Sequence, residues 1–171
     1  MELISVQAVK HPKLLLYLSE RGLQPSDVSP FLLEIYYKVS GKCFFALGFP
    51  NDAGGWELRN PYFKGCFVPK AITTIKGTDS HKRQLFEGFM DFLSWRKLHP
   101  EVHADCIIPN SLTLLSKLIP SLCPYATIES FLDMDEKLEI GLRSNSSTLG
   151  YPSRICERAT LPIKISTSIS F

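Results

Sequence analysis

Four carboxylates in two short motifs hold the chemistry this chain can do. Glu87 and Asp91 stand in Leu85-Phe86-Glu87-Gly88-Phe89-Met90-Asp91, and Asp133 and Asp135 in Ser130-Phe131-Leu132-Asp133-Met134-Asp135. Each motif follows a short apolar run that reads as a buried strand. In an open α/β sheet, ligands gather at the carboxyl ends of parallel strands. Carboxylates collected there repel one another unless a cation lies between them, and hard oxygen ligands suit Mg²⁺ or Mn²⁺. The expectation is a metal site serving phosphate chemistry. Asp133 and Asp135 alternate along an extended segment, so both point to one side, as chelation requires. The plainer alternative is turn chemistry and capping of a helix that starts near residue 136. Glu87 is a metal ligand or proton-transfer group, or else a solvated glutamate at a strand end. Asp91 fits a position supporting the metal as well as it fits the first turn of a helix, where the dipole favours negative charge.

The elements that must position these residues can be read from periodicity. Residues 84–86 read as a strand, Gly88 as a turn, and residues 89–98 as an amphipathic helix stopped by Pro100. A strand over 105–109, a helix over 112–119 ended by Pro120, and a strand over 126–132 follow. Asn110-Ser111 reads as a cap for the second of these helices. This alternation predicts a parallel sheet with right-handed crossovers. Glu87 and Asp133 are 46 residues apart, which leaves room for two crossovers, and both acidic motifs then emerge on one edge of the sheet.

The first part of the chain has a different character. Residues 13–21 have helical spacing, with Gly22 as the C-terminal stop. Pro25-Ser26-Asp27 starts a second helix running towards Glu34. Residues 35–39 and 43–49, joined by Ser40-Gly41-Lys42, read as a hairpin. A turn at 51–55, an extended stretch over 56–59, a break at Asn60-Pro61 and short extended pieces to residue 74 complete it. Arg59, Lys64 and Lys70 are interleaved with Trp56, Tyr62, Phe63 and Phe67. Basic groups among aromatics suit single-stranded nucleic acid, charge following the backbone and rings stacking on bases. The alternative is an aromatic core with a solvated rim of charge.

With 171 residues, 44% hydrophobic and 21% charged, the composition is that of a globular chain of one ordinary domain, or a small domain with an appendage. The net charge of +2 advertises no global field, but it is unevenly spread. Residues 1–78 carry +3, residues 79–141 carry −4 and residues 142–171 carry +3. An acidic module between basic ones suits a metal centre beside a phosphate-binding surface. Cys43, Cys66, Cys106, Cys123 and Cys156 have no zinc-knuckle spacing and read as free thiols, several of them buried. His11, His81, His99 and His103 show no ligand spacing either. The opening residues lack the apolar core of a signal peptide, and no apolar run is long enough to span a bilayer. The expected setting is the cytoplasm, without membrane contact. After residue 141 the chain turns polar, and residues 163–171 then alternate with period two, predicting one final strand that pairs with the parallel sheet, with the N-terminal hairpin or with a neighbouring molecule.

Phe86-Glu87-Gly88-Phe89-Met90-Asp91 followed by Leu132-Asp133-Met134-Asp135 resembles the signature of TOPRIM domains. The Glu-Gly-Phe-Met-Asp form is most similar to the bacterial DNA primase type. Tyr17-Leu18-Ser19-Glu20-Arg21-Gly22-Leu23 and the stretch from Leu47-Gly48-Phe49 to Lys64-Gly65 resemble primase-like proteins of mobile genetic elements, so the similarity runs from about residue 6 to about residue 141. The resemblance implies an α/β fold: a TOPRIM-like parallel sheet with flanking helices over 79–141, preceded by a small α+β subdomain over 1–78 and followed by an atypical tail over 142–171. It implies metal-dependent nucleotidyl transfer on a single-stranded DNA template. Glu87, Asp133 and Asp135 would be catalytic. The same three with Asp91 would hold Mg²⁺ or Mn²⁺, with no zinc. Arg59, Lys64, Lys70 and Trp56 would contact nucleic acid. The partners implied are single-stranded DNA, nucleoside triphosphates and a replicative helicase. The zinc-binding module usual in such primases is not seen. Glu136-Lys137-Leu138-Glu139-Ile140-Gly141 is a loose match to what normally follows the aspartate pair, and the tail reads as truncated or frameshifted. Two other functions fit the same residues: a TOPRIM nuclease, and a nucleic-acid-binding remnant without catalysis.

Overall fold

His11-Pro12 starts the first helix in a way that local chemistry explains. His11 is extended and its Nδ1 accepts the Lys13 N–H, while Pro12 occupies the first helical position, where a missing N–H costs nothing. Helix α1, Pro12–Glu20, buries Leu14, Tyr17 and Leu18. It ends at Gly22, whose φ of +67° lets the Gly22 N–H reach the Ser19 carbonyl and the Leu23 N–H the Leu18 carbonyl. That paired closure needs a left-handed residue, which glycine adopts without steric cost. Gly22→Ala should therefore lower stability by about 1 kcal/mol. A reduced urea midpoint at unchanged slope would show it.

The computed structural model describes residues 1–101, 103–111, 113–115, 118, 127–131 and 164–165. The chain is mixed α/β with two five-stranded sheets and few helices among the described residues. It divides into two units, Met1–Thr73 with Leu93–Pro100, and Thr74–Phe92 with Glu101–Phe171.

In the first unit, β1 Glu2–Gln7, β2 Leu33–Val39, β3 Lys42–Pro50, β4 Trp56–Asn60 and β5 Phe63–Phe67 form an antiparallel sheet in that order. The expected hairpin is present. Ser40 and Gly41 have φ of 49° and 78°, the two-residue turn whose twist matches that of its strands. The second helix is shorter than the sequence suggests. It is α2, Pro25–Val28, and it stops because Pro30 has no N–H with which to continue it. Glu34 thus falls in β2, fully buried. There it accepts hydrogen bonds from the Lys10 and His11 N–H groups at 2.9 and 2.7 Å and from Gln7 Nε2 at 3.0 Å. This one carboxylate ties β1 and the start of α1 to the sheet. Strand β1 has no counterpart in the sequence reading, because all six of its residues are exposed and no buried face marks it.

The second sheet is ordered β10-β9-β7-β8-β6, where β6 is Thr73–Ile75, β7 Asp79–Phe86, β8 Ala104–Ile108, β9 Thr127–Phe131 and β10 Lys164–Ile165. Strands β7/β8, β7/β9 and β9/β10 are parallel. Helix α3, Phe89–Leu98, connects β7 to β8. Residues 113–115 and 118, between β8 and β9, are helical. Every residue of β8 is buried, as a strand inside a parallel sheet requires. Strand β7 starts five residues before the apolar run that marked it, since Asp79 to Arg83 joins the ladder through its backbone and through a register shift rather than through an apolar face. The tail's pairing with the sheet edge is present at Lys164 and Ile165, opposite Glu129 and Ser130. The other residues expected in that strand lie outside the described residues.

Candidate functional site

Glu87 immediately follows β7, the central strand of the parallel trio. Phe86 is in register with Phe131, and the Glu87 N–H points to the Phe131 carbonyl at 3.4 Å. The Phe86 ring stacks on Phe131 at 4.9 Å and meets Phe92 edge-on at 5.6 Å. Stacked and edge-to-face rings lock their neighbours sterically as well as by apolar burial. Glu87 is therefore half-buried at a firmly packed strand end. Asp133 and Asp135 lie two and four residues beyond Phe131 in sequence and fall outside the described residues. Among the described residues, no three His, Cys, Asp or Glu side chains converge as a metal site.

Asp91 has a local task. Its Oδ2 accepts the Gly88 N–H at 3.1 Å, and the Phe92 N–H bonds the Gly88 carbonyl at 3.2 Å. Gly88 is thus the N-cap of α3, and Asp91 returns its carboxylate to an N–H left open by the helix. Of the two readings of Asp91, this geometry carries the first-turn one.

Other acidic residues of the 79–141 stretch are engaged structurally. Asp79 pairs with Lys82 at 3.2 Å. Asp105, almost fully buried, accepts from the Gly77 N–H at 2.9 Å and Lys76 Nζ at 3.1 Å, with Arg83 at 3.7 Å. Burial pushes its carboxyl up, but the Gly77 N–H, Lys76 and Arg83 together hold it below the ordinary value. The acidic balance of this stretch is in part the chemistry of folding rather than of a ligand. A polar row also crosses the sheet: Cys106 Sγ reaches Gln84 Oε1 at 3.6 Å, and Gln84 Nε2 donates to Glu129 Oε2 at 2.8 Å.

The basic and aromatic residues of the 56–70 stretch do not form one surface. Directly opposed residues of an antiparallel ladder share a face. The pairs Arg59–Lys64 and Glu57–Cys66 lie on one face of the first sheet, and Trp56–Phe67, Leu58–Gly65 and Asn60–Phe63 on the other. Trp56, Phe63 and Phe67 pack against Ile35, Tyr37, Ala46 and Leu58 on that second face. Trp56 accordingly lies on the opposite face of the sheet from Arg59 and Lys64. Period-two alternation puts Trp56 and Arg59 on opposite faces, so the register alone could have shown it. Arg59 Nε donates to the Tyr17 hydroxyl at 3.1 Å, a contact between residues 42 apart in sequence.

Glu57 was missed by sequence reasoning. It is buried, and its Oε1 has no hydrogen-bond partner among the described residues. Burial raises its pKa, against the opposing pull of Lys70, the Cys66 thiol and Lys64. Burial and Glu57 in turn push Cys66 up to about 11. The charges of Lys64 and Lys70 thus act on an internal carboxylate as well as on solvent. No spacing in the sequence signals a glutamate on the buried side of β4.

No helix among the described residues is long and apolar enough to cross a membrane. No curated protein and no solved structure matches the chain. Residues 3–68 are similar to the family described as a domain of unknown function (DUF8464), a match that takes in the antiparallel sheet and helices α1 and α2 of the first unit and stops short of the sheet that carries Glu87.

Proposed function

We propose that this chain is a TOPRIM protein of the DNA primase type that performs metal-dependent nucleotidyl transfer on a single-stranded DNA template, in the replication of a mobile genetic element. The observation that carries this reading is the parallel order β9-β7-β8 with Glu87 at the carboxyl end of its central strand. The chain runs from β7 to β8 on one side and then to β9 on the other, so the order reverses at β7. Open α/β sheets bind ligands at such a reversal, outside the carboxyl ends. The Phe86–Phe131 register supports it further, because two residues span at most about 7 Å and Asp133 follows Phe131 by two.

The donors fit Mg²⁺ or Mn²⁺: Glu87, Asp133 and Asp135 offer hard carboxylate oxygens. A divalent cation held by them supplies positive charge against a triphosphate. Glu87, half-buried behind the Phe86–Phe131 stack, holds that charge in place or takes the proton of the attacking 3′-hydroxyl. Lys64 and Lys70, both exposed, and the half-buried Arg59 supply the cationic contacts to template.

The test is extension of a primer or initiating nucleotide on single-stranded DNA, using labelled nucleotides with Mn²⁺ and without it. The expected result is labelled product that requires both metal and template. Shortening of the template without extension would replace this reading with a nuclease. Salt-sensitive DNA binding without either reaction would replace it with a non-catalytic nucleic-acid-binding protein.

A further inference from the structure

Asn110 follows β8 after one intervening residue and occupies the left-handed region, with φ of +59°. Asparagine tolerates this conformation better than most side chains, at some cost. The residue is only 8% exposed. Its Nδ2 donates to the Ile108 carbonyl at 3.3 Å, while its buried Oδ1 has no hydrogen-bond partner among the described residues. A buried acceptor left without a donor is unfavourable, because its lost hydration is not replaced. Leu85 is in register with Ile107, so Glu87-Gly88 and Pro109-Asn110 leave the parallel sheet side by side. A buried acceptor without a partner among the described residues therefore stands at the same carboxyl edge as Glu87, just past the neighbouring strand.

We propose that Asn110 Oδ1 accepts a hydrogen bond from the ligand bound at this edge, an inference that rests on the metal-and-nucleotide reading of the Glu87 site. The chemistry limits the donor. An amide oxygen only accepts, so phosphate oxygens, which also accept, are not its partner. Two donors remain within the ligand. One is water coordinated to the divalent cation, since Mg²⁺ keeps several waters when bound by one or two carboxylates. The other is a sugar hydroxyl of the nucleotide. Asn110 is thus a positioning residue from β8 that complements Glu87 from β7.

Asn110→Gly is the informative variant, because glycine keeps the left-handed backbone and removes the amide. Titration calorimetry on the full chain would use Mn²⁺ alone and then ATP in saturating Mn²⁺. Affinity should fall about tenfold in one arm, the loss of one good hydrogen bond to a bound ligand. Weakening with Mn²⁺ alone identifies the metal's water as the donor. Weakening only with ATP identifies the sugar hydroxyl. Asn110→Asp, which keeps an acceptor oxygen, should recover binding. Equal affinity of Asn110→Gly and wild type in both arms would overturn the inference while leaving the site reading intact. No binding of either probe by the wild-type chain would overturn both.

Discussion

Glu87→Gln is expected to cut nucleotide incorporation about a hundredfold or more, the scale on which a positioned acid–base group acts. The substitution keeps the side chain's shape and hydrogen-bonding reach and removes its charge and its basicity. Glu87 lies beyond the Phe86–Phe131 and Phe86–Phe92 ring contacts, so the packing that sets the strand end is untouched, and circular dichroism should report an intact fold. Affinity for Mn²⁺ should fall together with incorporation, because one of three proposed carboxylates is gone. Full incorporation by Glu87→Gln, measured in the labelled-nucleotide extension assay, would remove Glu87 from the reaction whatever else the chain does.

Asp105→Ala is expected to destabilise the second unit by about 2 kcal/mol, because it takes the acceptor from the Gly77 N–H and a buried carboxylate from between Lys76 and Arg83. The Gly77 N–H would lose its acceptor, and Arg83, with a side chain 12% exposed, one nearby carboxylate. Lys76 contributes little to this cost, being 72% exposed and free to be solvated. Asp105→Asn should cost less, since an acceptor for Gly77 survives. Chemical denaturation followed by circular dichroism would measure both. A loss under about 1 kcal/mol in Asp105→Ala would mean that the Gly77 N–H finds another acceptor and that Asp105 does not hold the second unit together.

The pH dependence has the same origin. Asp105 and Glu34 both titrate below their ordinary values. In each, burial acts upward and is outweighed, by the Gly77 N–H and the cations at Asp105, and by the Lys10 and His11 N–H groups, the Tyr36 hydroxyl and Gln7 at Glu34. A carboxyl lowered in the folded state binds fewer protons there than in the unfolded chain. Its stabilisation is complete above the unfolded values, near 4. It is lost as pH falls from there through the lower folded values. The acid limb of the stability curve should flatten in Asp105→Ala.

What could be read in the sequence is what local rules control. Pro12 and Gly22 bound α1, because one lacks an N–H where none is needed and the other takes a left-handed φ. Ser40-Gly41 makes a hairpin, because its positive φ values match the twist of the strands. The strand–helix–strand alternation from 84 to 131 follows from apolar period and from Gly88 and Pro100 as punctuation. Glu87 stood out because it ends an apolar run.

What stayed hidden depended on partners distant in the chain. Strand β1 buries no face, so only its pairing with β2 makes it a strand. Glu34 looked like a helix-end residue, until the N–H groups of Lys10 and His11, more than twenty positions away, made it an acceptor at the centre of the first unit. Asp105 read only as the start of a strand and Asp91 as either a metal support or a first-turn residue, but an ion pair across parallel strands and a helix cap use them. Trp56 and Arg59 are three residues apart and face opposite ways, because a pleated strand alternates sides. Side-chain type and spacing decide which elements form. Which carboxylates are spent on folding is decided only when the strands pair, because burial and register, not composition, determine what each charge must face.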